Sequence, residues 1–99
     1  MRYLVVILAV WPIAQPSFAQ IRDSANIEMA ARINVAENLC DINFGERLLH
    51  FVMLGASDLG ITMQSAAVLA DSRHTEIVRY LNQNRKLDEF CANARAGKL

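Results

Sequence analysis

Two cysteines, Cys40 and Cys91, constrain the fold of this 99-residue chain more than any other feature of its sequence. Two cysteines allow one intramolecular pairing, so the sequence leaves open only whether the bond forms. In the chain-entropy account, closing a loop of about 50 residues contributes roughly 4 kcal/mol. This is a large share of the roughly 5–10 kcal/mol expected for a small domain. Disulfides persist in oxidising compartments, so formation of the bond depends on where the chain resides.

The N-terminal segment predicts that compartment. Arg2 supplies one positive charge, residues 3–11 (YLVVILAVW) are continuously apolar, and Ser17-Phe18-Ala19 places small side chains at an exit position. Crossing a bilayer as a helix takes about 20 apolar residues, and residues 3–11 are less than half of that. A basic start, a short apolar middle and a small-residue exit are typical of a secretory signal peptide.

We therefore expect residues 1–19 to be a signal peptide and residues 20–99 to be a helical domain. The protein is then periplasmic or secreted, with no stable membrane anchor after cleavage. Its 80 residues (99 − 19) would carry nine Lys/Arg, since Arg2 is lost, against ten Asp/Glu. This near balance of charge argues against nucleic acid as a partner, because nucleic-acid binding needs a concentrated cationic face.

In an oxidising compartment, Cys40 and Cys91 are predicted to form a structural disulfide. The alternative is a redox-active or metal-binding pair of thiols. That alternative would favour C-x-x-C spacing or histidines close to the cysteines, and the sequence has neither.

Apolar residues recur at helical spacing in four segments, and the long β-branched alternation of strands is missing. We predict helices over about 24–39, 45–57 (GERLLHFVMLGAS) and 63–81, and a short fourth helix from residue 87. The fold class is therefore all-α, a small three- to four-helix bundle clasped by one disulfide. The disulfide is expected to tie the end of the first helix to the fourth and to hold the second and third between them.

Capping residues and inner faces follow from the same pattern. The predicted helix-end residues are Asp23 or Ser24 for the first helix, Asn43 paired with Glu46 and then Gly60 for the second, and Thr62 for the third. The second helix is expected to be the most buried. The predicted inner faces are Met29, Ile33, Ala36 and Cys40; Leu48, Leu49, Val52, Met53 and Ala56; Met63, Ala67, Ala70, His74, Ile77, Val78 and Leu81; and Leu87, Phe90, Cys91 and Ala94.

Candidate chemistry centres on His74, which lies in the polar stretch DSRHTE (71–76). Asp71 lies three residues earlier and shares a helical face with it, as a metal pair or an acid–base pair requires. A zinc site needs three or four protein ligands, however, and His50 is the one further nitrogen donor of this kind. The sequence also lacks a G-x-S-x-G nucleophile motif, a Gly-rich phosphate loop and H-E-x-x-H. We therefore predict no catalytic residue, no metal and no cofactor, and hence no enzyme.

An apolar surplus on the second helix predicts an interaction surface. Phe51 and Leu54 extend its apolar face beyond what one core contact needs, which is typical of a site for a protein partner or a second copy of the chain. The alternative is that both residues pack under the connecting segments. The polar face around His74 is a second contact candidate, so the possible interaction surface comprises Phe51, Leu54 and His74.

The spacing of Cys40 and Cys91, with the GERLLHFVMLGAS helix between them, resembles the plan of the acid-stress periplasmic chaperones of enteric bacteria. The resemblance covers most of the chain after residue 19. It implies a homodimer that opens at low pH and binds unfolding proteins through exposed apolar surface. The function predicted from the sequence is a protein-interaction module of the cell envelope, and the alternative is an acid-activated periplasmic chaperone.

Overall fold

The computed structural model describes residues 24–99, which form four helices and no strand. The helices are α1 (Ala25–Leu39), α2 (Arg47–Leu59), α3 (Met63–Gln83) and α4 (Leu87–Arg95). The all-α prediction is confirmed, and each helix lies within a few residues of its predicted position. The predicted signal peptide, residues 1–19, lies outside the described residues.

Helix α1 is the centre of the bundle and is buried on several faces, while Arg32 and Leu39 remain exposed. It packs against α2, α3 and α4. A helix with buried residues on several faces is one that more than one neighbouring element covers. Its buried residues are Ile27, Ala30, Ala31, Ile33, Val35 and Ala36. The single predicted stripe was therefore too narrow, and Met29 within it is only half-buried.

Helix α2 is less buried than predicted. Val52, Gly55 and Ala56 are its buried residues, so the expectation that α2 is the most buried helix is wrong. The reason lies at Gly55, where α2 comes closest to α1. A Cβ atom added to Gly55 would lie 2.5 Å from Cδ1 and 3.3 Å from the backbone nitrogen of Ile27. Because the contact is made by small residues, it is close but narrow.

Helix α3 buries Ala66, Ala70, Ile77 and Leu81. The predicted inner positions Met63 and Ala67 are exposed instead. Met63 is the first residue of the helix, and its place towards the core is taken by Ala66, which packs with Ile27 and Val52.

Local capping follows the sequence at three helix ends. The Ser24 hydroxyl accepts a hydrogen bond from the Ile27 amide at 3.3 Å, and the Thr62 hydroxyl accepts one from the Ser65 amide at 3.0 Å. Gly60 ends α2 with a φ of 65°, a conformation that glycine adopts without steric cost. These three predictions are confirmed.

The predicted capping pair of Asn43 and Glu46 is wrong. The Asn43 side-chain oxygen accepts a hydrogen bond from the Gly45 amide at 2.8 Å, which closes a local turn. Helix α2 then begins at Arg47, and the Glu46 side chain makes no capping hydrogen bond.

The disulfide between Cys40 and Cys91 is present, with a Cα–Cα distance of 5.4 Å and both residues buried. It joins the C-terminal end of α1 to α4, as predicted. Arg95 strengthens the same junction, because its guanidinium donates a hydrogen bond to the Cys40 carbonyl oxygen at 3.1 Å. The predicted inner stripe of α4 is also confirmed, since Cys91 and Ala94 are buried and Leu87 and Phe90 pack against them.

The arrangement of the clasp differs from the prediction. The disulfide does not hold α2 and α3 between α1 and α4, because α4 packs on α1 and α3. Helix α1 lies in the middle since its alanines allow neighbouring helices to approach it from several sides.

The crossing at Gly55 can be tested by substitution. We expect Gly55→Ala to lower the free energy of unfolding by about 1 kcal/mol, because overpacking costs roughly 1–3 kcal/mol and alanine recovers about 1 kcal/mol of helix propensity. In an Ile27→Ala background, where the contacting side-chain atoms are gone, the same change should be stabilising. Urea unfolding of the four proteins measures this coupling. Ser57→Ala, at an exposed position of α2, is the matched control and should be slightly stabilising. Equal effects of Gly55→Ala in both backgrounds would contradict the close approach.

The disulfide supports a second prediction. Replacing both Cys40 and Cys91 by alanine should lower the free energy of unfolding by about 4 kcal/mol, because the unfolded chain regains the entropy of a 51-residue loop. Urea unfolding of the oxidised protein, the double variant and the reduced wild type gives the comparison. The reduced protein controls for lost side-chain packing and should resemble the double variant. A double variant as stable as the oxidised protein would show that the bond is dispensable.

Candidate functional site

The residues predicted to form an interaction surface lie in different environments. Phe51 is half-buried and packs against the cluster that contains Ile27, Ala30 and Val52. Leu54, on the same helix, is 37% exposed. His74 lies on α3, half-buried, and its Nδ1 atom is buried without a hydrogen-bond partner in residues 24–99.

The apolar surface of α2 instead involves two residues that were predicted to be in the core. Leu49 is 56% exposed and Met53 is 52% exposed, so their predicted burial is wrong. They are four residues apart and lie on one face of the helix, one turn from each other. Leu54 adds a third large apolar side chain next to Met53. We call Leu49, Met53 and Leu54 the α2 apolar surface.

The α2 apolar surface is held by a rigid helix. Near the end of α2, the Asp58 carboxylate accepts hydrogen bonds from the Asn26 side-chain amide at 2.6 Å and from the Ser24 hydroxyl at 3.5 Å. Both donors lie at the N-terminal end of α1, where a negative charge interacts favourably with the helix dipole. Together with the contact between Gly55 and Ile27, these bonds determine how α2 lies on α1.

A helix that crosses a bilayer needs about 20 predominantly apolar residues. No single helix in residues 24–99 is long and apolar enough to cross a membrane. Helices α2 and α3 meet that criterion only when taken together, and they are bent by 110° where they join.

A network of charged residues joins α1 to α3. The Glu28 carboxylate accepts hydrogen bonds from Nε and Nη2 of Arg73, at 2.5 and 3.2 Å, and from Nε of Arg32 at 3.2 Å. Arg73 also donates to Glu76 at 3.1 Å. The paired contact between guanidinium and carboxylate specifies geometry as well as charge. The polar stretch around His74 thus supplies an interhelical ion pair through Arg73.

The network shifts the pKa values of Glu28 and Arg73. Partial burial raises the pKa of Glu28, but the hydrogen bonds and positive charges of Arg73, and then of Arg32, outweigh it, so that the pKa lies below its ordinary value of 4.5. The hydrogen bond with Glu28 is the main cause that raises the pKa of Arg73. Glu28 is therefore ionised, and it holds α1 and α3 together, over most of the pH range.

Sequence reasoning missed this network. Glu28 and Arg73 are 45 residues apart, and no local pattern relates them. Glu28 and Arg32 have the four-residue spacing of a helical ion pair, which could have identified Arg32 as a partner. Only the packing of α3 on α1 brings Arg73 to the same carboxylate.

A groove lies beside the network, between α1, α3 and α4, with a volume of about 440 Å³. Ile77, Leu81 and Phe90 form its apolar floor, and Tyr80 lies at its edge, 55% exposed. In residues 24–99 no group of three or more His, Cys, Asp or Glu side chains could hold a metal ion. This groove therefore combines an apolar floor with the paired charges of Glu28 and Arg73.

Comparison with known proteins identifies no relative: no family model, no curated protein and no solved structure matches the chain. Three exposed large apolar side chains lie on α2, and two of them, Leu49 and Met53, are one helical turn apart.

The Glu28 network predicts a specific pH dependence. A carboxyl whose pKa is lowered by folding contributes stability above its unfolded pKa, and that contribution is lost as the pH falls through the folded pKa. We expect Glu28→Gln to reduce the free energy of unfolding by about 0.5–1 kcal/mol at pH 7, because the pairs are partly exposed. The difference from wild type should shrink towards zero below about pH 4.

Chemical unfolding of both proteins between about pH 3 and 7 measures this difference. The control is Glu89→Gln, which removes the same charge from an exposed pair with Lys86 whose atoms are 3.8 Å apart. Glu89→Gln should change the stability by less than about 0.5 kcal/mol. A difference between wild type and Glu28→Gln that grows on acidification would contradict the assignment.

Proposed function

We propose that this chain is an exported, non-enzymatic helical module of the cell envelope that docks a protein partner through the α2 apolar surface. The observation that carries the proposal is the exposure of Leu49, Met53 and Leu54, at 56, 52 and 37%. These three large apolar side chains lie on one 13-residue helix and belong to none of the core clusters of the described fold. Contiguous apolar surface of this kind is typical of interaction sites.

The geometry suits a partner that lays an apolar groove or helix against α2. Leu49 and Met53 have the four-residue spacing of anchors on one helical face, the arrangement used when a helix docks in a groove. Because α2 is already ordered by its contacts with α1, binding would cost little additional conformational entropy. Methionine adds an adaptable contact, since its side chain fits irregular apolar surfaces.

Two features support export. The segment of residues 1–19 has the pattern of a secretory signal peptide. The buried disulfide is the kind of bond that forms and persists in oxidising compartments. We assign no catalytic role to His50, which is exposed and packs edge-on against Phe51, or to His74.

A second candidate is an acid-activated chaperone, and Glu28 is the observation that favours it. One carboxylate joins α1 to α3 through Arg73, so its protonation removes the ionic contact between the two helices. The disulfide and Arg95 would retain α4 on α1 while α3 loosened. Apolar surface freed in this way would add to that of α2.

The two candidates predict different results in one cross-linking experiment. Tagged, exported protein is cross-linked at pH 7 and at about pH 3, and the captured proteins are identified. For the interaction module we expect the same dominant partner, or a second copy of the chain, at both values of pH. Many different clients captured only in acid would favour the chaperone.

Substitutions on α2 test whether the α2 apolar surface binds the partner. Leu49→Gln/Met53→Gln should abolish capture of the partner, because it replaces the apolar anchors by polar side chains at exposed positions. The matched control is Val68→Gln, at a position on α3 that is 60% exposed, and it should capture the partner as wild type does. Circular dichroism and thermal unfolding verify that all three proteins fold alike. Equal capture by the double variant and wild type would show that α2 is not the docking surface.

A further inference from the structure

A smaller groove lies at the opposite end of α2 from Gly60, between α1, the start of α2 and the last residues of the chain. Its volume is about 210 Å³, and its apolar lining includes Met29, Ile33, Phe44 and Ala94. Arg47 also lines it, and we call it the Arg47 groove. Ile33 and Ala94 are almost fully buried, at 1 and 4% exposure, so the floor belongs to the packed core.

Two positively charged side chains, Arg47 and Lys98, line the Arg47 groove. Within residues 24–99 neither is in an ion pair, whereas Arg32, Arg73 and Lys86 are. The guanidinium of Arg47 lies over the Phe44 ring, 5.7 Å from its centroid. The Glu37 carboxylate accepts a hydrogen bond from the Phe44 amide at 3.2 Å. The groove, which Leu99 also lines, therefore combines an apolar floor with two positively charged side chains.

The groove lies beside the disulfide that joins α1 to α4. Ala94 packs with Cys40 and Cys91 in the cluster around the disulfide, and Phe44 packs against the same cluster. Arg95 ties α4 to the Cys40 carbonyl. A groove on such a scaffold is formed before a ligand arrives, which lowers the entropic cost of binding.

We propose that the Arg47 groove binds a short acyl chain with a carboxylate head group. The chain would lie on Met29, Ile33 and Phe44, and the carboxylate would pair with Arg47 and Lys98. Charge complementarity selects an anionic over a neutral or cationic head group, because the two charged side chains that line the groove are both positive. The volume lies below the roughly 300–1,000 Å³ of pockets for drug-sized ligands, which selects a short chain. This site is separate from the α2 apolar surface and does not depend on the function proposed for it.

Sodium octanoate, used below the concentration at which it forms micelles, is the probe. We expect titration of the purified, oxidised protein to give saturable amide shifts in a ¹⁵N NMR spectrum, centred on Phe44, Ala94 and Gly97, with a Kd in the millimolar range or tighter. Octanol, with the same chain and no charge, should bind roughly tenfold more weakly, and octyltrimethylammonium should not bind.

Substitutions that remove positive charge test whether Arg47 and Lys98 pair with the octanoate carboxylate. Arg47→Gln/Lys98→Gln should weaken octanoate binding by roughly tenfold and bring it close to that of octanol. The control Arg79→Gln/Lys86→Gln removes the same number of charges from exposed positions outside the groove and should bind octanoate as wild type does. Leu49→Gln/Met53→Gln should also bind normally, which separates this site from the α2 apolar surface.

Three results would overturn the proposal: no saturable shift with octanoate, equal affinity for octanoate and octanol, or unchanged octanoate binding in Arg47→Gln/Lys98→Gln. Binding of anionic phospholipid vesicles without binding of octanoate would also overturn it, because the surface would then recognise a charged membrane and not a single acyl chain.

Discussion

The close packing of three helices around α1 is the contact on which the rest of the structure depends. Alanines at positions 30, 31 and 36 of α1 are fully buried, and they allow neighbouring helices to approach from different sides. Gly55 continues this pattern on α2, where a side chain would collide with Ile27. Leu48, Phe51 and Leu59 of α2 pack against the core, but Leu49 and Met53 fall outside this narrow contact. The exposure of Leu49 and Met53 is thus a consequence of how closely α2 lies on α1.

Helix α1 is fastened along its length by three kinds of interaction. At its start, Ser24 and Asn26 bind the Asp58 carboxylate of α2. Further along, Glu28 pairs with Arg73 of α3, and at its end Cys40 is bonded to Cys91 of α4. The ionic contact depends on pH and the covalent one on redox state, so acid and reductant act on different neighbours of α1. Acid weakens the attachment of α3, and reduction weakens that of α4.

The two proposed binding surfaces use different physical properties of the same helix. The α2 apolar surface relies on side chains that the narrow contact with α1 leaves in water. The Arg47 groove relies on the first residue of α2, whose charge lies beside a floor supplied by α1 and α4. The first surface suits a partner large enough to cover several side chains. The second suits a small molecule, because its volume is only about 210 Å³.

The sequence by itself determined the helices, most of their ends and the disulfide. Apolar spacing, Ser24, Gly60 and Thr62 act within a few residues, so their effects are visible without knowledge of the fold, and two cysteines allow a single pairing. The tertiary structure decided which helix is central, because a stripe of apolar residues does not specify how many neighbours will cover it. It therefore decided that Ala30 and Ala31 are buried while Leu49 and Met53 are exposed. It also brought Arg73 to Glu28 across 45 residues, since an interhelical ion pair exists only once two helices have packed.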